Sequence, residues 1–147
     1  MAARQADTFG NIPHNGVYGN LSAGVGSYTD LSTNSAVALD TFDFVKIPAG
    51  AQVLEGFIFS TQMTGTSTWA LGIKYADGTS TGGTTGTNVL FSGTSSAITG
   101  LSQTACRFTP FTNDADTIAY ATHVTGPAHT ALDNATLVLK FIANYTK

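Results

Sequence analysis

The sequence predicts an all-β domain, a sandwich or a barrel. Three observations carry this reading. About seven or eight short segments show apolar residues alternating with polar ones, the period of a half-buried strand. They recur at a spacing of roughly 8 to 15 residues, with Gly, Pro, Asn and Asp turn signals between them. No segment carries the apolar stripe of an amphipathic helix, and no repeat of about 20 to 50 residues is visible.

Residues 1–35, MAARQADTFGNIPHNGVYGNLSAGVGSYTDLSTNS, come first. Gly, Asn and Ser dominate, and no strand or helix period is sustained. Such a segment is either a disordered tail or an extended arm lying on its own domain or on a neighbouring subunit. The aromatic residues Phe9, Tyr18 and Tyr28 favour the arm, because disordered segments are poor in aromatics. The expected division is therefore an arm over 1–35 and a β-domain over 36–147.

The first clear strand region is 36–47, with Phe42 and Phe44 on one face and Asp43 and Val45 on the other. Pro48-Ala49-Gly50 then forms a corner. Proline presets φ for the first central turn position and glycine accepts positive φ, which fits a type I turn closed by a glycine bulge. The next strand, 52–63, changes phase near Glu55-Gly56, as a bulge produces. Beyond it Phe57 and Phe59 share one face and Ile58 takes the other. Residues 68–75, TWALGIKY, alternate most cleanly. A polar, glycine-rich loop over 78–88 follows, too small in texture to pack a core. Shorter strands are expected at 88–92 and 104–108, then longer ones at 117–124 and 135–145. The central strands carry apolar groups on both faces, so some of those faces meet another layer or another subunit.

Composition narrows the function. The chain has 147 residues and a net charge of -3, with only 10% charged residues, against about 25% in ordinary soluble domains. Threonine is the commonest residue. A surface of Thr, Ser, Gly and Ala suits lateral packing against other protein better than a free, crowded monomer, which relies on charge. The six Lys and Arg residues are scattered, so no basic stripe tracks phosphates and no direct nucleic-acid binding is expected. No run of about 18 apolar residues suggests a membrane span, and the N-terminal residues lack the apolar core of an export signal. The single Cys106 forms no internal disulfide and reads as a buried small hydrophobe.

Catalytic constellations are weak. His123 and His129 flank Gly126-Pro127 with Asp133 nearby, but the spacing is not a zinc pattern, and both read as surface loop histidines. No G-x-S-x-G elbow holds a nucleophile. Asn113-Asp114-Ala115-Asp116 hints at a calcium loop but lacks the glycine and distal glutamate of an EF-hand. Asp43 and Glu55 are the strand carboxylates that a glycosidase pair would need. Trp69, Tyr75 and Tyr120 suggest a sugar platform, yet the alternation puts Trp69 with Leu71 and Ile73 on a core face. No enzyme, cofactor or metal is expected.

The stretches DTFDFVKIPAGAQVLEGFIFST, STWALGIKYADG and DADTIAYATHVTGPAHTALDNATLVLKFIANY carry a resemblance that covers residues 37–145. A strand leading into a PAGA corner, an LGI-Y strand and a closing TL-L-F-Y strand resemble the small head decoration (cement) proteins of tailed bacteriophages. The resemblance implies an antiparallel β-sandwich of jelly-roll type. It also implies a virion protein on the outer capsid surface, made in the host cytoplasm, that bridges major capsid subunits. A homodimer or homotrimer is implied as well, and Phe9, Ile12, Tyr18 and Tyr28 are the candidate capsid or inter-subunit contacts. Two other readings stand beside it: a tail, fibre or vertex module binding a host glycan, and a free carbohydrate-binding module.

Overall fold

Among the described residues the alternation along the chain resolves into ten strands and two sheets that enclose one apolar core. The fold is seen in a computed structural model that describes residues 3–6, 21–31, 40–77, 89–91 and 96–143. The strands are β1 (Ala3–Gln5), β2 (Leu21–Tyr28), β3 (Thr41–Ile47), β4 (Ala51–Ser60) and β5 (Thr66–Tyr75). They continue with β6 (Ser96–Thr99), β7 (Ser102–Ala105), β8 (Phe111–Thr112), β9 (Thr117–Thr125) and β10 (Ala135–Ala143). The first sheet runs β1-β3-β9-β5-β6, the second β2-β10-β4-β7 with β8 also on β4. Only the β1–β3 pairing is parallel among the described strands. This is an antiparallel β-sandwich of jelly-roll type, as the sequence led us to expect.

Alternate residues of each strand make the core. Phe42, Phe44, Ile47, Trp69, Leu71, Ile73, Ala119 and Ala121 come from the first sheet. Val53, Ile58, Leu137, Leu139 and Phe141 come from the second. Each large side chain so buried contributes roughly 1.5–3 kcal/mol. Tyr28 packs edge-on against Phe42 and Phe44, with centroids 5.2 and 5.0 Å apart, and its hydroxyl donates to the Asp43 carbonyl at 3.1 Å.

This corrects the division at residue 35. Two pieces of the expected arm are strands of the sandwich: β1 lies beside β3, and β2 pairs with β10 from Leu21↔Ile142 to Tyr28↔Ala135. The reason β2 lacks an apolar alternation is steric. Its inward positions are Ser22, Gly24, Gly26 and Tyr28, and the backbone of β3 comes directly against it. A Cβ at Gly26 would stand 2.1 Å from the Phe44 carbonyl oxygen, and one at Gly24 would stand 2.4 Å from Val45 Cγ1. In the same stretch the register of β3 against β9 shifts, between Asp43 and Val45. The rest of the expected arm, including Phe9, Ile12 and Tyr18, lies outside the described residues.

Smaller differences follow the same logic. Residues 89–91, expected as strand, form a turn of 3-10 helix that buries Leu90 and Phe91. The bulge expected near Glu55 falls at Leu54, where the register against Lys140 and Phe141 shifts. The Pro48-Ala49-Gly50 corner has Gly50 at φ 78°, with Ala51 N–H donating to the Pro48 carbonyl at 3.2 Å. Asn113 fastens this corner. Its Nδ2 donates to the carbonyls of Ile47 (3.0 Å), Pro48 (3.1 Å) and Ala115, and its Oδ1 accepts from Thr117 Oγ1 (3.0 Å). Its backbone N–H donates to the Ala51 carbonyl, and its own carbonyl accepts from Gly50 N–H, both at 2.7 Å. Asp116 Oδ1 accepts the Ala49 N–H at 2.9 Å. The segment that hinted at calcium is thus a turn lock.

Candidate interaction face

The strands of the second sheet carry apolar side chains on their outer face as well as inside. Cross-strand register sets them in rows. Val25, Val138 and Phe57 form one row, and Ser27, Thr136 and Phe59 the next. Ala23, Lys140 and Glu55 form a third. These side chains are half-buried, except for the exposed Glu55. Among the described residues the one ion pair on the face is Lys140 Nζ to Glu55 Oε1 at 2.6 Å, with the partners 38% and 51% exposed; an exposed pair contributes little to folding. Lys140 Nζ also lies 5.9 Å from the centre of the Phe57 ring.

The face is not flat. Phe57, Phe59, Thr61, Leu101, Val138 and Lys140 line a groove of ≈ 560 Å³. Leu101, on the turn between β6 and β7, is 84% exposed. A second groove of ≈ 260 Å³ shares Phe59 and Thr61 and continues toward Ser27, Asn134 and Thr136. Aromatic and aliphatic groups with few charges, rimmed by Ser, Thr and Gln, have the makeup of the centre of a protein–protein contact. Nothing in this arrangement pairs a nucleophile with a base.

The other candidate residues are dispersed. Tyr28, expected as a contact, is buried in the chain's own core, because β2 turns it inward to pack edge-on against Phe42 and Phe44. Trp69 is fully buried and Tyr120 nearly so, with Lys74 Nζ 5.3 Å from the Tyr120 ring centre. Those two rings are therefore not open to stack on a sugar. Asp43 and Glu55 belong to different sheets and each is held by a lysine, Asp43 by Lys74 at 2.6 Å. Cys106 is half-buried against the core, and burial pushes its thiol up to about 12, which leaves it unreactive at neutral pH.

The histidines need a correction. His123 and His129 are not surface groups: they are 1% and 6% exposed. The register places His123 beside Trp69, and the loop after β9 folds His129 back onto both. The two imidazole centroids are 4.6 Å apart, and Trp69 lies 5.6 Å from His123 and 5.5 Å from His129. Asp133 binds His129 Nδ1 at 3.1 Å. Burial pushes the Asp133 carboxyl up, but hydrogen bonds from Thr130, Thr64 and His129 outweigh it and hold it below the usual carboxylate range. Among the described residues no group of three or more His, Cys, Asp or Glu side chains converges to hold a metal ion.

The sequence signal for the face was Phe57 and Phe59 opposite Ile58, a strand apolar on both sides. The grooves had no signal, because they depend on Val138 arriving from β10 and Leu101 from the turn between β6 and β7.

No protein-family model matches the sequence, and no curated protein matches it. Solved structures are similar in fold. A chain in the structure "Capsid of Ralstonia phage GP4" aligns with TM-score 0.67 at 18% identity, covering 99% of this chain and 100% of that one. A chain in "Acidic stable capsid structure of Helicobacter pylori bacteriophage KHP30" aligns with TM-score 0.53 at 13% identity, over 88% and 92% of the two chains. A chain in "Cyanophage Pam1 capsid asymmetric unit" aligns with TM-score 0.49 at 19% identity, over 90% and 91%. At these identities the first two likenesses establish the fold alone.

Proposed function

We propose that this chain is a structural protein of a bacteriophage virion, a decoration protein that binds the outer surface of the capsid and bridges major capsid subunits. The observation that carries the reading is the open, apolar, nearly uncharged outer face of the second sheet. A free domain has little use for such a face, and protein contact explains it. The GP4 capsid chain, spanned end to end by the same fold, supports a capsid setting. The role asked of the chain is mechanical. A protein that binds the assembled shell, and not its dissociated subunits, stabilises the shell by mass action. Many copies, each with an interface on the order of 800 Å² per partner, become strong together. Phe9, Ile12 and Tyr18 are proposed as additional contacts, to the capsid or between copies in a homodimer or homotrimer. No catalytic step belongs to this function.

Co-sedimentation of the purified chain with phage heads lacking it, before and after head expansion, tests the proposal. Saturable binding to heads is the expected result. Absence of binding to either form refutes it.

A further inference from the structure

We propose that the His123–His129 pair is an acid-sensitive latch: a second proton entering it releases the loops 61–65 and 126–134 at one end of the sandwich. The geometry is a single knot. Asp133 Oδ1 accepts from Thr64 N–H (2.7 Å), Thr64 Oγ1 (2.8 Å) and Thr130 Oγ1 (3.2 Å). Its Oδ2 accepts from Thr130 N–H (3.0 Å) and faces His129 Nδ1 (3.1 Å). The Asp133 carbonyl accepts from Leu31 N–H at 2.9 Å, and Asn134 N–H donates to the Gln62 carbonyl at 3.1 Å. Asn134 Oδ1 accepts the Thr61 N–H at 2.9 Å. Three segments of chain therefore meet on two adjacent residues.

The imidazoles form the floor of this knot. The side chains of His129 and Asp133 are both 0% exposed, and the turn at Gly126 closes over His123, where a Cβ would stand 2.9 Å from Nε2. One imidazolium is accommodated, because His129 leans on the Asp133 carboxylate. A second would stand 4.6 Å from the first, buried among rings, where like charges repel strongly.

Other groups face the pair from each side. Asp40 is buried, and its backbone carbonyl accepts the backbone N–H of His123 at 3.1 Å. Asp30 precedes Leu31 on the segment after β2, and Tyr28 lies behind Phe42. Strand β5 presents Ser67 and Trp69, and the 61–65 loop presents Thr64, none of which titrates near neutrality. The Asp133 carboxylate on His129 favours the first proton. It does not remove the repulsion between two imidazoliums whose rings are 4.6 Å apart.

Linkage then fixes the sign. In the unfolded chain both histidines take up protons around pH 6.5. The folded chain holds fewer protons at this pair, so stability falls as pH drops below that value. Each missing proton costs up to about a tenfold loss in the folding equilibrium constant per pH unit. The Asp133 carboxyl, held low, acts in a separate window below about pH 4.

The test is denaturant unfolding from pH 7.5 to 4.5, for the intact chain and for His123→Phe, with protection factors of the Leu31, Thr64 and Thr130 amides. The expected result is a stability slope below about pH 6.5 that the variant flattens, with those three amides losing protection first. A slope unchanged by the substitution, or uniform loss of protection across both sheets, overturns the latch. If His123→Phe does not fold, NMR titration of the imidazoles in the intact chain decides. One proton taken up by the pair between pH 7.5 and 4.5 supports the latch. Two independent uptakes near pH 6.5 with the fold intact refute it.

Discussion

Each of two regions of the sandwich is fastened by one buried Asx side chain, and the two use opposite chemistry. At the Pro48–Gly50 corner Asn113 is neutral and mainly donates, to three backbone carbonyls. At the β9–β10 loop Asp133 is charged and only accepts, from Thr64, Thr130 and His129. Both close a loop against a strand end. The difference lies in what solution conditions reach. An amide network has no proton to lose near neutrality, whereas a carboxylate set against two adjacent, tilted imidazoles ties its region to pH. The same fastening is permanent at one place and conditional at the other.

The sharpest way to break the comparison is Asn113→Asp. The substitution keeps the shape but turns the donor into an acceptor, so a carboxylate faces the carbonyls of Ile47, Pro48 and Ala115. Leaving a buried charge uncompensated is expected to cost about 3 kcal/mol or more. Urea unfolding at pH 7.5 measures it, and a loss under about 1 kcal/mol would mean that the corner holds without its lock.

Asp133→Asn is the converse change and is expected to cost less, about 2 kcal/mol at pH 7.5. Here the sign with pH is informative. The Asp133 carboxyl is held below its ordinary range, so its stabilisation is present above the unfolded value near pH 3.9 and is lost as pH falls through the folded one. The penalty of Asp133→Asn should therefore be present at pH 7 and shrink as pH falls below about 4. A penalty that stays constant to pH 2 would show that the charge is not what fastens the loop.

Gly126→Ala perturbs the same region through the backbone. Gly126 has φ 143°, and a Cβ there would stand 2.8 Å from Ser67 Oγ and 2.9 Å from His123 Nε2. About 1–2 kcal/mol of destabilisation is expected from strain and crowding, read as a drop in the unfolding midpoint. An unchanged midpoint would mean that the turn relaxes away from His123.

How much of this was legible in the sequence depends on what each feature is made of. TWALGIKY showed itself as a strand because Trp69, Leu71 and Ile73 all face the core. The PAGA corner showed itself because proline and glycine each have one turn position that suits them. Strand β2 did not, because the backbone of β3 lies where its inward side chains would be, and glycines carry no hydrophobic signal. The histidines were misjudged for a related reason. A histidine next to a Gly-Pro turn looks solvent-facing until the register of β9 against β5 places it beside Trp69. The open face was half visible: Phe57 and Phe59 announced a second apolar side of β4, while the partners that make a groove of it come from a strand and a turn distant in sequence.

The smallest effect on folding is expected at that face, and it is the one most tied to function. Val138 is half-buried between Val25 and Phe57 with its side chain outward. Val138→Asp removes one cross-strand apolar contact and adds a charge that water still reaches, so it should cost no more than about 1 kcal/mol in unfolding. A charge at the centre of a desolvated contact is far more damaging to binding. Val138→Asp should therefore abolish co-sedimentation with phage heads while the fold persists. Thr125→Asp, exposed on β9 of the other sheet, serves as the matched control and should bind as the intact chain does. If both substitutions leave binding intact, the partner does not use the outer face of the second sheet. If both abolish it, added negative charge and not position is responsible. Loss with Val138→Asp alone assigns the contact to this face.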